Sequence, residues 1–145
     1  LNSVKRIVQL SGLDPGKMTG NWKALESGIS TWLRDGHLES VHLEVYNSAT
    51  DELVRRWDFE IHYGETGDGS FWQDSDDIRY HIKKAGLNPN NCDYRIVTTT
   101  TNGRRNVDGW AKTSLRSTEG FVKQGIGTTI GAGGISTGTS YWRKN

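Results

Sequence analysis

His37, His42, His62 and His81 are the chain's four imidazoles, and metal or general-base chemistry would have to start from them. None stands at the i, i+4 spacing that sets two ligands on one helix face, so they read as scattered surface groups. Asp74, Asp76 and Asp77 are closely spaced acids, but they fall at the start of a predicted helix. There carboxylates cap backbone N–H groups and complement the helix dipole, which is a simpler role than general acid/base work. Cys92 is the single cysteine and has no base nearby in the sequence, so it reads as a small buried hydrophobe rather than a nucleophile. No serine occupies a Gly-x-Ser-x-Gly elbow. Gly125-Ile126-Gly127 lacks the third glycine of a dinucleotide fingerprint, and no Gly-Lys-Ser/Thr follows any glycine turn, so the phosphate-loop reading is not supported. No catalytic, metal-binding or cofactor-binding residue is assigned, and a binding protein is expected rather than an enzyme.

Two mixed clusters remain. Arg104-Arg105 precedes Trp110, and Arg143-Lys144 follows Tyr141-Trp142, a pairing of cations with aromatics that suits single-stranded nucleic acid. Each cluster is only two charges strong. A single-stranded nucleic-acid-binding module using Arg104, Arg105, Trp110, Tyr141, Trp142 and Arg143 is therefore kept as the second reading. A solvated loop and a tethered terminus account for the same residues without any function.

The elements that must position these groups follow from periodicity. Val4, Ile7 and Val8 mark a short amphipathic helix over 2–11, broken by Gly12 and Pro15. Trp22, Leu25, Ile29, Trp32 and Leu33 mark a second, entered near Thr19 to Asn21 and stopped by Gly36. From Leu38 the period becomes two: Val41, Leu43 and Val45 share one face, His42, Glu44 and Tyr46 the other. A turn over Asn47 to Glu52 leads to a partner strand carrying Trp57, Phe59 and Ile61, which predicts an antiparallel hairpin with a charged, solvated outer face. Gly64 to Ser70 reads as a loop. A third helix is expected from Asp74 or Ser75 to Ala85, with Ile78, Ile82 and Ala85 as its apolar stripe. The run CDYRIVTTTT at 92–101 is the most strand-like of all.

Beyond Asn102 the composition shifts. Residues 103–145 are so rich in glycine that neither a long helix nor a deeply packed core is expected, and Trp110, Phe121, Ile126, Ile130, Tyr141 and Trp142 are the anchors available. An unpaired strand edge needs something laid beside it. The tail either completes the sheet as a terminal meander or lies over the edge and traps an incoming peptide that adds as a strand.

Bulk properties narrow the classes. With 145 residues the chain fits one domain, 1–145, divided into a core at 1–102 and a tail at 103–145. Eighteen Lys/Arg against 17 Asp/Glu give a net charge of +1, which asks for neither nucleic acid nor an acidic membrane. One cysteine excludes an internal disulfide framework and suits a reducing, cytoplasmic setting. No stretch approaches the apolar length that spans a bilayer. Leu1 opens inside a helical pattern, so native residues are expected to precede it.

The passages ISTWLRDGHLESVHLEVY, RRWDFEIHY, DDIRYHIKKAG and YRIVTTTT, with the tail VDGW, LRSTEGF, GIGTTIGAGG and SYWRK, resemble the bacterial HORMA domains of CBASS anti-phage systems. The resemblance is good from residue 37 onwards and loose over the first helices. It implies an α+β fold: a HORMA-like core of mainly antiparallel sheet packed by about three helices, with a mobile C-terminal safety belt. It also implies a closure-motif peptide that adds to the sheet under the belt, a cyclic-oligonucleotide synthase (CD-NTase) bound and activated in that state, and a AAA+ remodelling ATPase that reopens the fold. Carried onto this chain, Tyr94, Ile96, Thr98 and Thr100 lie beside the peptide and Trp110 to Trp142 form the belt. The first helix is shorter, and the belt richer in glycine, than the pattern leads one to expect.

Overall fold

A computed structural model describes residues 1–63, 72–73, 79–83, 91–132 and 135–144. Helix α1 spans Asn2–Leu10, a single-turn helix α2 spans Gly16–Gly20, and α3 spans Trp22–Asp35. Gly36 closes α3 in the left-handed conformation at φ 77°, the geometry that favours glycine. Helical backbone recurs at 79–83, and the remainder of the expected third helix, including Asp74, Asp76 and Asp77, lies outside the described residues, as does the 64–70 loop.

The strands are β1 (Leu38–Asn47), β2 (Leu53–Tyr63), β3 (Trp72–Gln73), β4 (Cys92–Thr100), β5 (Phe121–Ala132) and β6 (Ile135–Lys144). They form one sheet in the order β3-β5-β6-β2-β1-β4, and every pairing is antiparallel. β1 and β2 form the predicted hairpin, with Asp51 at φ 62° in its turn. The tail strand β6 pairs with β2, and β4 sits on the opposite side of β1.

One sheet face packs on the helices. Leu43, Trp57, Tyr141 and Ile96 stand in register across it, and Val4, Ile7, Val8, Leu25 and Trp32 come down on it from α1 and α3. Burying such aliphatic and aromatic side chains contributes roughly 1.5–3 kcal/mol each. The glycine density leads one to expect a tail without deep packing, and here the structure differs: β5 and β6 are long, paired strands and Tyr141 is 1% exposed, stacked on Trp57 with ring centroids 4.7 Å apart. The glycines do not prevent this, because Gly127 at φ 101° sits at a register shift and Gly138 lets the His62 ring lie close to its backbone.

The opposite face is also covered, contrary to the expected solvated surface. His42, Glu44, Arg56 and Asp58 are all buried there. Nor are all the histidines surface groups: His42 is 6% exposed, and the His81 ring packs 5.8 Å from that of Tyr141.

Candidate functional site

β4 is the last strand of the sheet on its side, and its outer edge has no strand partner among the described residues. Alternate backbone N–H and C=O groups on such an edge point outward and need partners. The segment after it, 101–120, runs along that edge without regular structure. Its path is fixed at three places, each of which brings together residues far apart in the sequence.

The first attachment is to the C-terminal end of α3. Thr101 N–H donates to His37 O at 2.9 Å, Trp32 Nε1 donates to Arg105 O at 2.7 Å, and the Arg104 guanidinium lies 4.5 Å from the Trp32 ring. The second is Trp110. Its ring meets Trp32 edge-on at 5.1 Å, and its Nε1 donates to Ala24 O at 2.8 Å. Gly28 makes this approach possible, since a Cβ there would come 2.0 Å from Trp110 Nε1. The preceding Gly109 takes φ 88°, which turns the chain onto the helix.

The third attachment is on the other face of the sheet, so the segment passes around the β4 edge between the second and third. Arg95 of β4 donates to Thr113 Oγ1 and Ser114 O, at 2.9 and 2.5 Å. Arg116 then reaches Glu44 on β1: its backbone N–H donates to Oε2 at 2.7 Å and its guanidinium to Oε1 at 2.9 Å. Arg95 Nε donates to the same Oε1, so a carboxylate that is 0% exposed is shared between two arginines. Such sharing offsets the cost of removing the charge from water. The Arg116 guanidinium also lies 3.7 Å from the Tyr46 ring and bonds Asp51 in the β1–β2 turn. That hydrogen bond holds the Asp51 carboxyl below its ordinary range, while Asp51 and Glu44 outweigh desolvation and raise Arg116.

Between the 101–120 segment and β4 lies a channel of about 640 Å³. Ile96, Thr98 and Thr100 line it from the strand, Trp32 from the helix, and Trp110 and Leu115 from the segment. A smaller cavity of about 170 Å³ shares Ile96 and Trp110 with it and is completed by Met18, Leu25 and Tyr94.

The residues singled out from sequence therefore separate into two groups. Ile96, Thr98, Thr100 and Trp110 meet at the channel, and Tyr94 lines the adjoining cavity with its hydroxyl donating to Asp14 O at 2.6 Å. Tyr141 and Trp142 are on β6, three strand spacings or roughly 14 Å from β4. Tyr141 is core, and Trp142 Nε1 donates to Asp58 Oδ2 at 2.8 Å while its ring faces Arg56. Phe121 and Ile126 stand on β5, further still from β4, and Ile130 pairs with Thr137 there. Arg143 pairs in register with Arg55 on the β2 side, whereas Arg104 and Arg105 are beside α3, so the six residues of the nucleic-acid reading do not form one surface.

Sequence reasoning passed over Glu44, Arg95, Arg116, Trp32 and Gly28. Glu44 looked like one more outward-facing acid, and only Gly28, a glycine inside a helical apolar pattern, carried a local signal. On the buried polar face His42 Nδ1 meets Asp58 Oδ1 at 2.6 Å and its Nε2 meets Thr99 Oγ1 at 2.8 Å. Burial pushes the Asp58 carboxyl up, but hydrogen bonds from His42, Arg56 and Trp142 outweigh it and hold the group low. Burial raises the Cys92 thiol, as suits an unreactive cysteine. No group of three metal-ligating side chains occurs among the described residues, and no helix among them is long and apolar enough to cross a membrane.

A strand edge enclosed by a segment that returns to the far side of the sheet can be compared with known proteins. The family model for bacterial HORMA domain 2 matches residues 1–145. The chain belongs to that family. Among solved structures, this HORMA chain is similar to a chain in the crystal structure of the mitotic checkpoint complex, with TM-score 0.72 and 9% identity over 89% of this chain and 74% of that one. It is similar to C. elegans HTP-2 bound to the HIM-3 closure motif, with TM-score 0.65 and 16% identity over 84% of this chain and 66% of that one. It is also similar to a chain of the E. coli MS115-1 CdnC:HORMA-deltaN complex, with TM-score 0.60 and 12% identity over 98% of this chain and 81% of that one. At these identities the likeness establishes the fold. No curated protein sequence matches the chain.

Proposed function

We propose that this protein is a peptide-binding adaptor that captures an extended peptide as an added strand on the free edge of β4, beneath the belt formed by 101–120. The observation that carries the reading is the channel between that edge and the belt, which leaves a row of outward-directed backbone groups beside a half-open space of about 640 Å³. Strand addition satisfies those groups and takes its affinity from main-chain bonds. Ile96, Thr98, Thr100 and Trp110 are the contacting residues in this reading, and the hairpin at 121–144 anchors the belt rather than touching the peptide. HTP-2 with its bound closure motif supports the occupant, and the CdnC:HORMA-deltaN complex supports a cyclic-oligonucleotide synthase as the partner engaged in the closed state. A regulatory role in bacterial anti-phage signalling follows, in the cytoplasm and without catalysis by this chain, with a AAA+ ATPase as the agent that reopens the belt.

The test is hydrogen exchange on the chain with and without a captured peptide. Peptide binding is expected to slow exchange at 92–101 and 101–116 together, and a proline at the peptide's central position is expected to abolish binding because it removes a ladder donor. Equal binding by the proline variant would rule out strand addition.

A further inference from the structure

The lining of the channel is chemically one-sided. Thr98 to Thr101, Asn102, Asn106 and Thr113 offer hydroxyls and amides, and among the described residues the only charged side chains that line it are Arg104 and Lys112. No carboxylate among the described residues lines it. The basic groups around it divide into neutralised and unneutralised ones. Arg95 is paired with Glu44, Arg105 with Asp35 at 2.9 Å, and Lys17 with Asp93 at 3.0 Å. No ion pair joins Arg104 or Lys112 to a carboxylate among the described residues. Arg104 is held in place all the same, over the Trp32 ring and donating to Arg105 O at 3.1 Å, so its position is fixed while its charge is left over. A guanidinium ordered before a ligand arrives loses little further freedom on binding one.

The other end of the channel is mainly apolar. Met18, Leu25, Tyr94, Ile96 and Trp110 wall the adjoining cavity together with Asn21, Lys17 and Arg95, the last two being the cations already paired with Asp93 and Glu44. Its volume of about 170 Å³ compares with the roughly 150 Å³ of an apolar cavity able to take up benzene, so it has room for one aliphatic or aromatic side chain. Ile96 and Thr100 share a strand face and stand four residues apart, about 13 Å along the strand at its usual rise. Arg104 follows Thr100 at the far end of that run.

Resting on the peptide-capture reading, we propose that the occupant is an acidic peptide of two-part design. One apolar side chain seats in the Met18–Leu25–Trp110 cavity, and an aspartate or glutamate about four residues away, on the same face of the added strand, meets Arg104. The geometry fixes the spacing and not the direction in which the peptide runs. The carboxylate supplies selection as well as affinity, because a basic peptide would bring like charges together in a space partly withdrawn from water.

The experiment uses the full chain and a soluble library of proline-free nine-residue peptides, with captured peptides sequenced against the input. The expected result is enrichment of Asp and Glu at a position about four residues from one enriched in Leu, Ile, Met or Phe. For the leading peptide, Arg104→Glu is expected to weaken binding about tenfold, and a peptide with Lys in place of its acid is expected to recover that loss. Arg104 makes no ion pair among the described residues, so its reversal breaks none, and Arg104→Gln provides the second, smaller loss. Captured peptides with no acidic preference, or with a basic one, overturn the charge assignment and leave strand capture standing. Capture of no peptide removes both, and saturable binding of a labelled oligothymidine that competes with the leading peptide would assign the cations to nucleic acid instead.

Discussion

The two edges of the β2-β1-β4 unit are finished in opposite ways by one continuous tail. At the β2 edge, β6 pairs in unbroken register from Arg55–Arg143 to Tyr63–Ile135 and buries Tyr141 against Trp57. At the β4 edge the same tail makes no ladder, and its 101–120 segment is held by Trp110, by the bonds from Arg95 and by Arg116. Leaving the first edge means breaking a ladder and exposing core. Leaving the second means breaking a few side-chain contacts, so the belt is expected to open with a free energy well below that of global unfolding. A slot and a structural seal can thus be built from adjacent stretches of chain by changing only how the backbone is satisfied.

The sharpest break in the comparison comes from the sealed edge. Tyr141→Ala removes a fully buried ring, and a loss of about 3–5 kcal/mol in urea unfolding is expected. A loss under about 1 kcal/mol would mean that the tail hairpin is an accessory and that both edges are loosely closed. Glu44→Gln comes next. It leaves Arg95 and Arg116 without their shared charge, but both arginines reach solvent in part, so about 2 kcal/mol is expected rather than the full cost of a broken buried pair. The distinguishing readout is local: exchange at 111–117 should quicken far more than at 121–144. Uniform quickening would deny the belt its separate opening.

Both effects act on residues that the sequence exposed to very different degrees. The amphipathic stripes of α1 and α3, the β1–β2 hairpin and β4 were legible because each is written in neighbours three, four or two apart. Glu44 was misread as solvated for the same reason. Alternation tells which residues share a face and not what covers the second face, and here the cover is Arg116, 72 positions away. Tyr141 was hidden by the glycines around it, whose density suggested looseness although Gly125 and Gly127 flank a register shift within a paired strand. The belt was legible only through family resemblance, and the division of the tail into an irregular stretch at 101–120 and a paired hairpin at 121–144 depended on where the ladder to β2 begins.

Acid should act on the buried polar face and on the Asp51–Arg116 contact together. Asp58 and Asp51 both have carboxyls held below their ordinary range, so the stability they contribute is present above the unfolded value near 3.9 and is lost as pH falls through the lower folded value. His42, Arg56 and Trp142 are the groups facing Asp58, and Arg116 faces Asp51. Urea midpoints measured from pH 7 downwards should hold their Asp58 contribution to about pH 5 and lose it below pH 4. Asp58→Asn should be less stable at pH 7 and flatter with acid, and a wild-type slope in that variant would place the acid sensitivity elsewhere.

Gly28→Ala gives the smallest change in total stability and the clearest separation of the edges. Alanine in a helix interior is favoured over glycine by up to about 1 kcal/mol, so α3 itself gains. The new methyl would occupy the position of the Trp110 indole, 2.0 Å from its Nε1, and the ring must leave α3 and its bond to Ala24 O. Gain and loss fall on different parts of the molecule, so the urea midpoint should move little while Trp110 becomes accessible to an aqueous quencher and exchange at 107–113 rises. If the belt closes the slot, peptide dissociation should quicken in this variant although the fold is no weaker. A variant that keeps peptide as long as the parent would show that the slot holds its ligand by the β4 edge alone, and that Trp110 is packing rather than clasp.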